Sequence, residues 1–147
     1  MMMLLELIPA AIGTVAFAVL FGIPKKYFPH CAAIGSAGWF LYCVMTDLAG
    51  SSVFEATFLA TALVVLLSRY AAVIEHCPAT IFVTAGIFPL VPGAGIYWAS
   101  YYLVTHQIQL SAENGFSALQ VIMGIVLGIV IVFELPHSFF KLKKDKK

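Results

Sequence analysis

The residues best placed to do chemistry in this chain offer backbone groups rather than a reactive side chain. Residues 86–97 read Gly-Ile-Phe-Pro-Leu-Val-Pro-Gly-Ala-Gly-Ile-Tyr, inside a stretch otherwise apolar enough to cross a bilayer. Pro89 and Pro92 lack a backbone N–H, and each ring clashes with the carbonyl four residues back, so no uninterrupted helix passes through them. Gly93 and Gly95 allow conformations that a side chain would forbid. Broken backbone at membrane depth is tolerated only where protein buries it or water reaches it. Half-helix ends at such a break expose unpaired N–H and C=O groups, which transporters use to hold substrates and ions. A carboxylate held by the N–H groups that follow the break is the chemistry this pattern offers. Pro89, Pro92, Gly93, Gly95 and Tyr97 are therefore substrate-pathway candidates. The plainer alternative is a packing kink without a ligand, because Pro and Gly are frequent in membrane helices.

Hydroxylated and small residues recur at helical spacing. Thr57, Thr61 and Ser68 fall within one stripe, and Thr80 and Thr84 repeat the four-residue interval. The four threonines are pathway candidates, although close helix packing is the commoner use of such residues in membranes. Gly124 and Gly128 form a small-xxx-small pair, and Gly35, Gly38 and Trp39 lie together on an earlier segment. These five read as packing residues. Among the carboxylates, Glu55 lies about one turn inside a segment and is the ion-coupling candidate, since intramembrane ionisable groups point to function. Glu6 and Glu134 sit near segment ends, where snorkelling to the interface accounts for them. Arg69 reads as a cytoplasmic charge, either a topology anchor or an attractor for an anionic group.

Other chemistries are not supported. Cys31 and Cys43, twelve residues apart on one helix, are separated by roughly 18 Å and cannot form a disulfide with each other. The four histidines flank different segments, and neither Cys-x-x-Cys nor His-Glu-x-x-His spacing occurs to hold a metal. There is no phosphate-binding Gly-x-x-x-x-Gly-Lys-Ser/Thr loop, no nucleophile–base–acid grouping, and no basic-aromatic patch for nucleic acid. The expectation is a non-enzyme without cofactor or metal.

The elements that must position these residues are membrane helices. The chain has 147 residues, 62% hydrophobic and 10% charged, with mean hydropathy +1.00. A soluble domain would carry about a quarter charged residues. The expected fold is all-α, a single polytopic membrane bundle over 1–147. Five segments are expected, at about 4–22, 31–48, 52–70, 78–104 and 116–135, the fourth interrupted between Pro89 and Gly93, with a lysine tail at 141–147. The first segment lacks the basic start of a cleavable signal, and its apolar run is roughly of spanning length. Ser51 or Ser52 can cap the third segment, and Pro78 suits the first turn of the fourth. With five crossings and the N-terminus outside, Lys25, Lys26, Arg69 and the five tail lysines all fall on the cytoplasmic side. The tail could also meet anionic membrane lipid.

In order, the chain contains Gly35-Ser-Ala-Gly-Trp39, Ser68-Arg69-Tyr70, Pro78, the run from Gly86 through Pro89-Leu-Val-Pro92-Gly93, and Tyr97. This pattern resembles the small membrane subunit of the threonine/serine exporter family, equivalent to the C-terminal membrane half of single-chain members. The resemblance covers nearly the whole chain. It implies a multi-pass subunit of the bacterial inner membrane that works with a larger subunit. It also implies export of small metabolites such as threonine and serine, or succinate in similar two-subunit members. The alternatives are a non-transporting assembly subunit and a small homo-oligomeric channel.

Overall fold

A computed structural model of the chain describes residues 2–135, and within them the fold is all-helical. The lysine tail expected at 141–147 lies outside the described residues. Six helices follow in order: α1 (Met2–Leu20), α2 (Phe28–Cys43), α3 (Val53–Glu75), α4 (Thr80–Gly86), α5 (Gly93–Val104) and α6 (Ile108–Glu134). A single π-helical turn, Val44–Leu48, extends α2, and a 3-10 turn, Phe88–Leu90, follows α4.

Among the described residues, three stretches are long and apolar enough to cross a membrane: Lys25–Leu48, Val53–Glu75 and Ile108–Glu134. The pair Thr80–Leu90 and Gly93–Val104, bent by 51°, makes a fourth if it is one span. The expectation of five is thus met only as three or four. Leu5–Leu20 is a shorter apolar helix, about 24 Å long at 1.5 Å per residue, against roughly 30 Å of hydrocarbon.

Local chemistry sets the helix ends. Ser52 Oγ accepts the Glu55 N–H at 3.3 Å while Glu55 Oε2 accepts the Ser52 N–H at 3.1 Å, a reciprocal capping box that starts α3. His76, in the left-handed conformation at φ 53°, ends it. The sequence places the end of this segment near Tyr70, but the helix continues to Glu75 because residues 71–75 contain no breaker. Arg69 is therefore inside the helix rather than at its end. Pro78 lies ahead of α4, where its carbonyl accepts the Ile81 N–H at 3.3 Å. α6 begins eight residues before the expected 116, its first turns docked on α5 through Ser111 Oγ, which donates to the Ala99 carbonyl at 2.7 Å.

Glycine sets how closely the helices approach. A Cβ at Gly35 would run into Thr14 of α1, and one at Gly38 into Val64 of α3. At Gly124 a Cβ would lie 3.0 Å from the Phe54 carbonyl oxygen, and at Gly128 2.9 Å from Thr61 Cβ. All four glycines stand where a neighbouring helix comes too close for a side chain. They also give direction: residues 124 and 128 meet 54–58 and 58–61 in ascending order, so α6 runs parallel to α3. The core beneath them is built of Ile34, Ala60, Val64, Phe82, Ala85 and Leu90. α5 packs antiparallel on the first half of α6, with none of its own residues buried.

Candidate functional site

The candidate site is the break between α4 and α5. Phe88 stacks on Phe17 of α1 with ring centroids 3.6 Å apart, and Leu90 is buried beside Gly38. Val91 is extended, and Pro92 has φ −79° and ψ 55°, while the Gly93 N–H donates to the Val91 carbonyl at 2.8 Å. That is an inverse γ-turn centred on Pro92. The Ile96 N–H returns to the Pro92 carbonyl at 3.1 Å. Ala94 and Gly95 lie in the first turn of α5, where N–H groups have no intrahelical acceptor. One expectation is corrected here. Gly93 and Gly95 do not take a conformation reserved for glycine; among the described residues the positive-φ glycines are Gly22 and Gly50. Proline makes this break, because its fixed φ and missing N–H are sufficient. A Cβ at Gly93 would meet open space, whereas one at Gly95 would touch Ala118 Cβ at 3.3 Å.

A cavity of about 320 Å³ opens beside this turn. Its walls are the break from Pro89 to Gly95, Trp39 and Tyr42 of α2, Val53 of α3, and Ser117, Ala118 and Val121 of α6. The Trp39 and Tyr42 rings stack at 5.4 Å. A second cavity, of about 260 Å³, is lined by Glu6, Pro9, Ala10, Trp39 and Pro89. Trp39 and Pro89 are thus common to both. Largely apolar walls with a few residues that carry polar groups, here Trp39, Tyr42 and Ser117, suit a small organic solute.

The structure gathers some of the sequence candidates and separates others. Pro89, Pro92, Gly93 and Gly95 line the larger cavity. Tyr97 does not. It is 60% exposed and belongs to an outward aromatic ladder on α5 with Trp98, Tyr101 and Tyr102. Thr57 and Thr61 are fully buried in the α3–α6 seam, facing Gly124 and Gly128. The Thr57 hydroxyl donates to the Val53 carbonyl at 2.7 Å, while Thr61 Oγ1 has no hydrogen-bond partner among the described residues. Thr80 and Thr84 are exposed, with the Thr84 hydroxyl donating to the Thr80 carbonyl. Glu55 is exposed, and its carboxylate serves the capping box.

Arg69 is 4% exposed and donates from Nη1 to the Val132 carbonyl and from Nη2 to the Leu135 carbonyl at 2.9 Å. It closes the C-terminal end of α6, where the helix dipole favours a cation. It also borders a cavity of about 250 Å³ with Cys77, Pro78 and Phe133. Sequence reasoning missed Trp39, Tyr42 and Ser117 as cavity walls, and Glu6 as the carboxylate beside the break. Only the pairing of α1 with α2 would have revealed the last. Among the described residues no group of three His, Cys, Asp or Glu converges to hold a metal.

Comparison with known proteins gives a consistent picture. A family model described as Threonine/Serine exporter, ThrE, matches residues 6–134. An uncharacterized protein of Haemophilus influenzae is 29% identical over 102 residues, covering 69% of this chain and 34% of that relative. The match therefore takes in about a third of the relative's length. No solved structure matches.

Proposed function

This chain belongs to the threonine/serine exporter family, and from that premise we propose that it is the small subunit of a two-component secondary exporter of carboxylate-bearing metabolites. The observation that carries this reading is the cavity at the proline break, lined by Gly93, Ala94 and Gly95 of the first turn of α5, a turn whose N–H groups lack intrahelical acceptors. Threonine, serine and succinate all present a carboxylate to such groups. The larger subunit is the one implied by the likeness to split family members.

On this reading the chain crosses the bacterial inner membrane five times, N-terminus outside and C-terminus cytoplasmic. Two observations support that topology. α3 and α6 run parallel, which favours an α4–α5 segment that returns the chain across the membrane. The loops around 47–52 and 105–107 contain no Lys or Arg, whereas Lys25 and Lys26 lie between α1 and α2.

The test is efflux of threonine, serine and succinate from cells expressing this chain alone, the larger subunit alone, and both. Export by the pair only is the expected result, and it names the solute. Export by this chain alone would favour a self-assembled channel. A second reading, a non-transporting assembly subunit, is favoured by one observation: α5 leaves its aromatic face uncovered. Export by the larger subunit alone would select it.

A further inference from the structure

Glu6 of α1 is the carboxylate that shares a cavity with the break. Its Oε2 accepts the Trp39 indole N–H at 3.3 Å and the Cys43 thiol at 3.5 Å. Trp39 and Pro89 form the common wall between the Glu6 cavity and the cavity at the break. One indole is therefore both the hydrogen-bond partner of a carboxylate and a wall of the candidate site. Glu55 has no such connection, since its carboxylate is held by the Ser52 N–H at the start of α3.

We infer that Glu6 is the proton-carrying group of this exporter and that it acts on the break through Trp39. The inference rests on the exporter reading given above. The ionised carboxylate takes a charge-assisted hydrogen bond from the indole, roughly twice as strong as a neutral one. A proton arriving from water adds to a carboxylate oxygen, the negative charge is lost, and the indole N–H is held less tightly. Trp39 is then free to shift against Pro89 and change the shape of the solute cavity. Loss of the proton to water restores the bond, so no other reactant is consumed. The titratable groups facing Glu6 are Cys43 on α2 and, beyond it, Asp47 on the π-helical turn. Residues 86–95 of the break contribute none. Glu6 is exposed on the surface of the single chain, near the start of α1.

The experiment has two arms. The full chain carrying Trp98→Phe, so that Trp39 is its sole tryptophan, is reconstituted in liposomes and its emission followed with pH. A one-proton transition is expected, in which the protonated fraction falls about tenfold per pH unit above the midpoint. Glu6→Gln removes the transition, and Glu6→Asp retains it with a moved midpoint. In cells with the larger subunit, Glu6→Gln export loses its dependence on external pH at unchanged membrane level, while Glu6→Asp keeps it. An unaltered Trp39 transition in Glu6→Gln, or an unaltered pH profile of export, overturns the inference. If the unsubstituted pair exports none of the three solutes while the Trp39 emission change still depends on Glu6, the exporter reading fails and the proton site stands.

Discussion

Arg69 occupies a position where a helix would otherwise end in bare carbonyls. Its guanidinium reaches the Val132 and Leu135 carbonyls from within α3, tying the last turn of α6 to a helix more than sixty residues away in sequence. Arg69→Ala should lower stability by about 3 kcal/mol, the scale of losing charge-assisted bonds at a buried site. Thermal unfolding in detergent checks this, and a shift within error would discard the tie. Thr61 gives the opposite sign. Its hydroxyl is buried without a partner among the described residues, so Thr61→Val should hold or raise stability, by about 1 kcal/mol. Export at the normal rate by that variant would remove Thr61 from the substrate pathway. The sequence shows small and hydroxylated residues at helical spacing, and that much is legible at this scale. It does not show which neighbour each one meets. The Thr57/Thr61 stripe reads equally as pathway or packing until Gly124 and Gly128 are seen against it. Glu6 and Trp39, 33 residues apart, become a pair only when α1 and α2 are laid side by side.

Among the elements, the broken segment is the one most fully written in the sequence. Two prolines three residues apart decide it, and the break falls where they stand. The mechanism differs from expectation, because an inverse γ-turn at Pro92 does the work without any left-handed glycine. Pro92→Ala restores an N–H and frees φ, so α4 and α5 should straighten from their 51° bend. The expected outcome is normal membrane insertion with reduced export; full export from an inserted Pro92→Ala protein would remove the break from the transport path. Gly93→Ala is the control for folding and insertion, since its methyl group meets no neighbouring atom. The α3–α6 seam answers to a different substitution. Gly128→Ile would push against the Phe58 carbonyl, 3.0 Å from the Cβ position, and overpacking of this kind costs about 1–3 kcal/mol or more. Loss of a disulfide between cysteines placed at Thr57 and Gly124 would report separation of the two helices. Helix bounds are the least legible part. Residues 71–75 and 108–115 carry no strong signal for ending or starting a helix, and contacts with neighbouring helices settle them.

At the scale of the whole molecule, the fold is a body of α1–α4 and the second half of α6, with an α5–α6 hairpin built onto it. Composition alone announces the membrane class, because 10% charged residues cannot cover a soluble surface. The order of charges along the chain proposes an orientation, which thiol labelling can test. An impermeant reagent added outside intact cells should reach a cysteine placed at Thr105 but not the native Cys77; labelling of Cys77 would invert the topology. One feature bears on how the chain is made. The seam between α3 and α6 joins residues near 57 to residues near 124, so it cannot form until α6 has left the ribosome. Until then the buried stripe of α3 has no glycine helix to cover it, and α3 must wait in lipid or beside the insertion machinery. A translation product stopped after α5 should therefore be more exposed to membrane quality control than one that includes α6, because only the arrival of α6 covers that stripe.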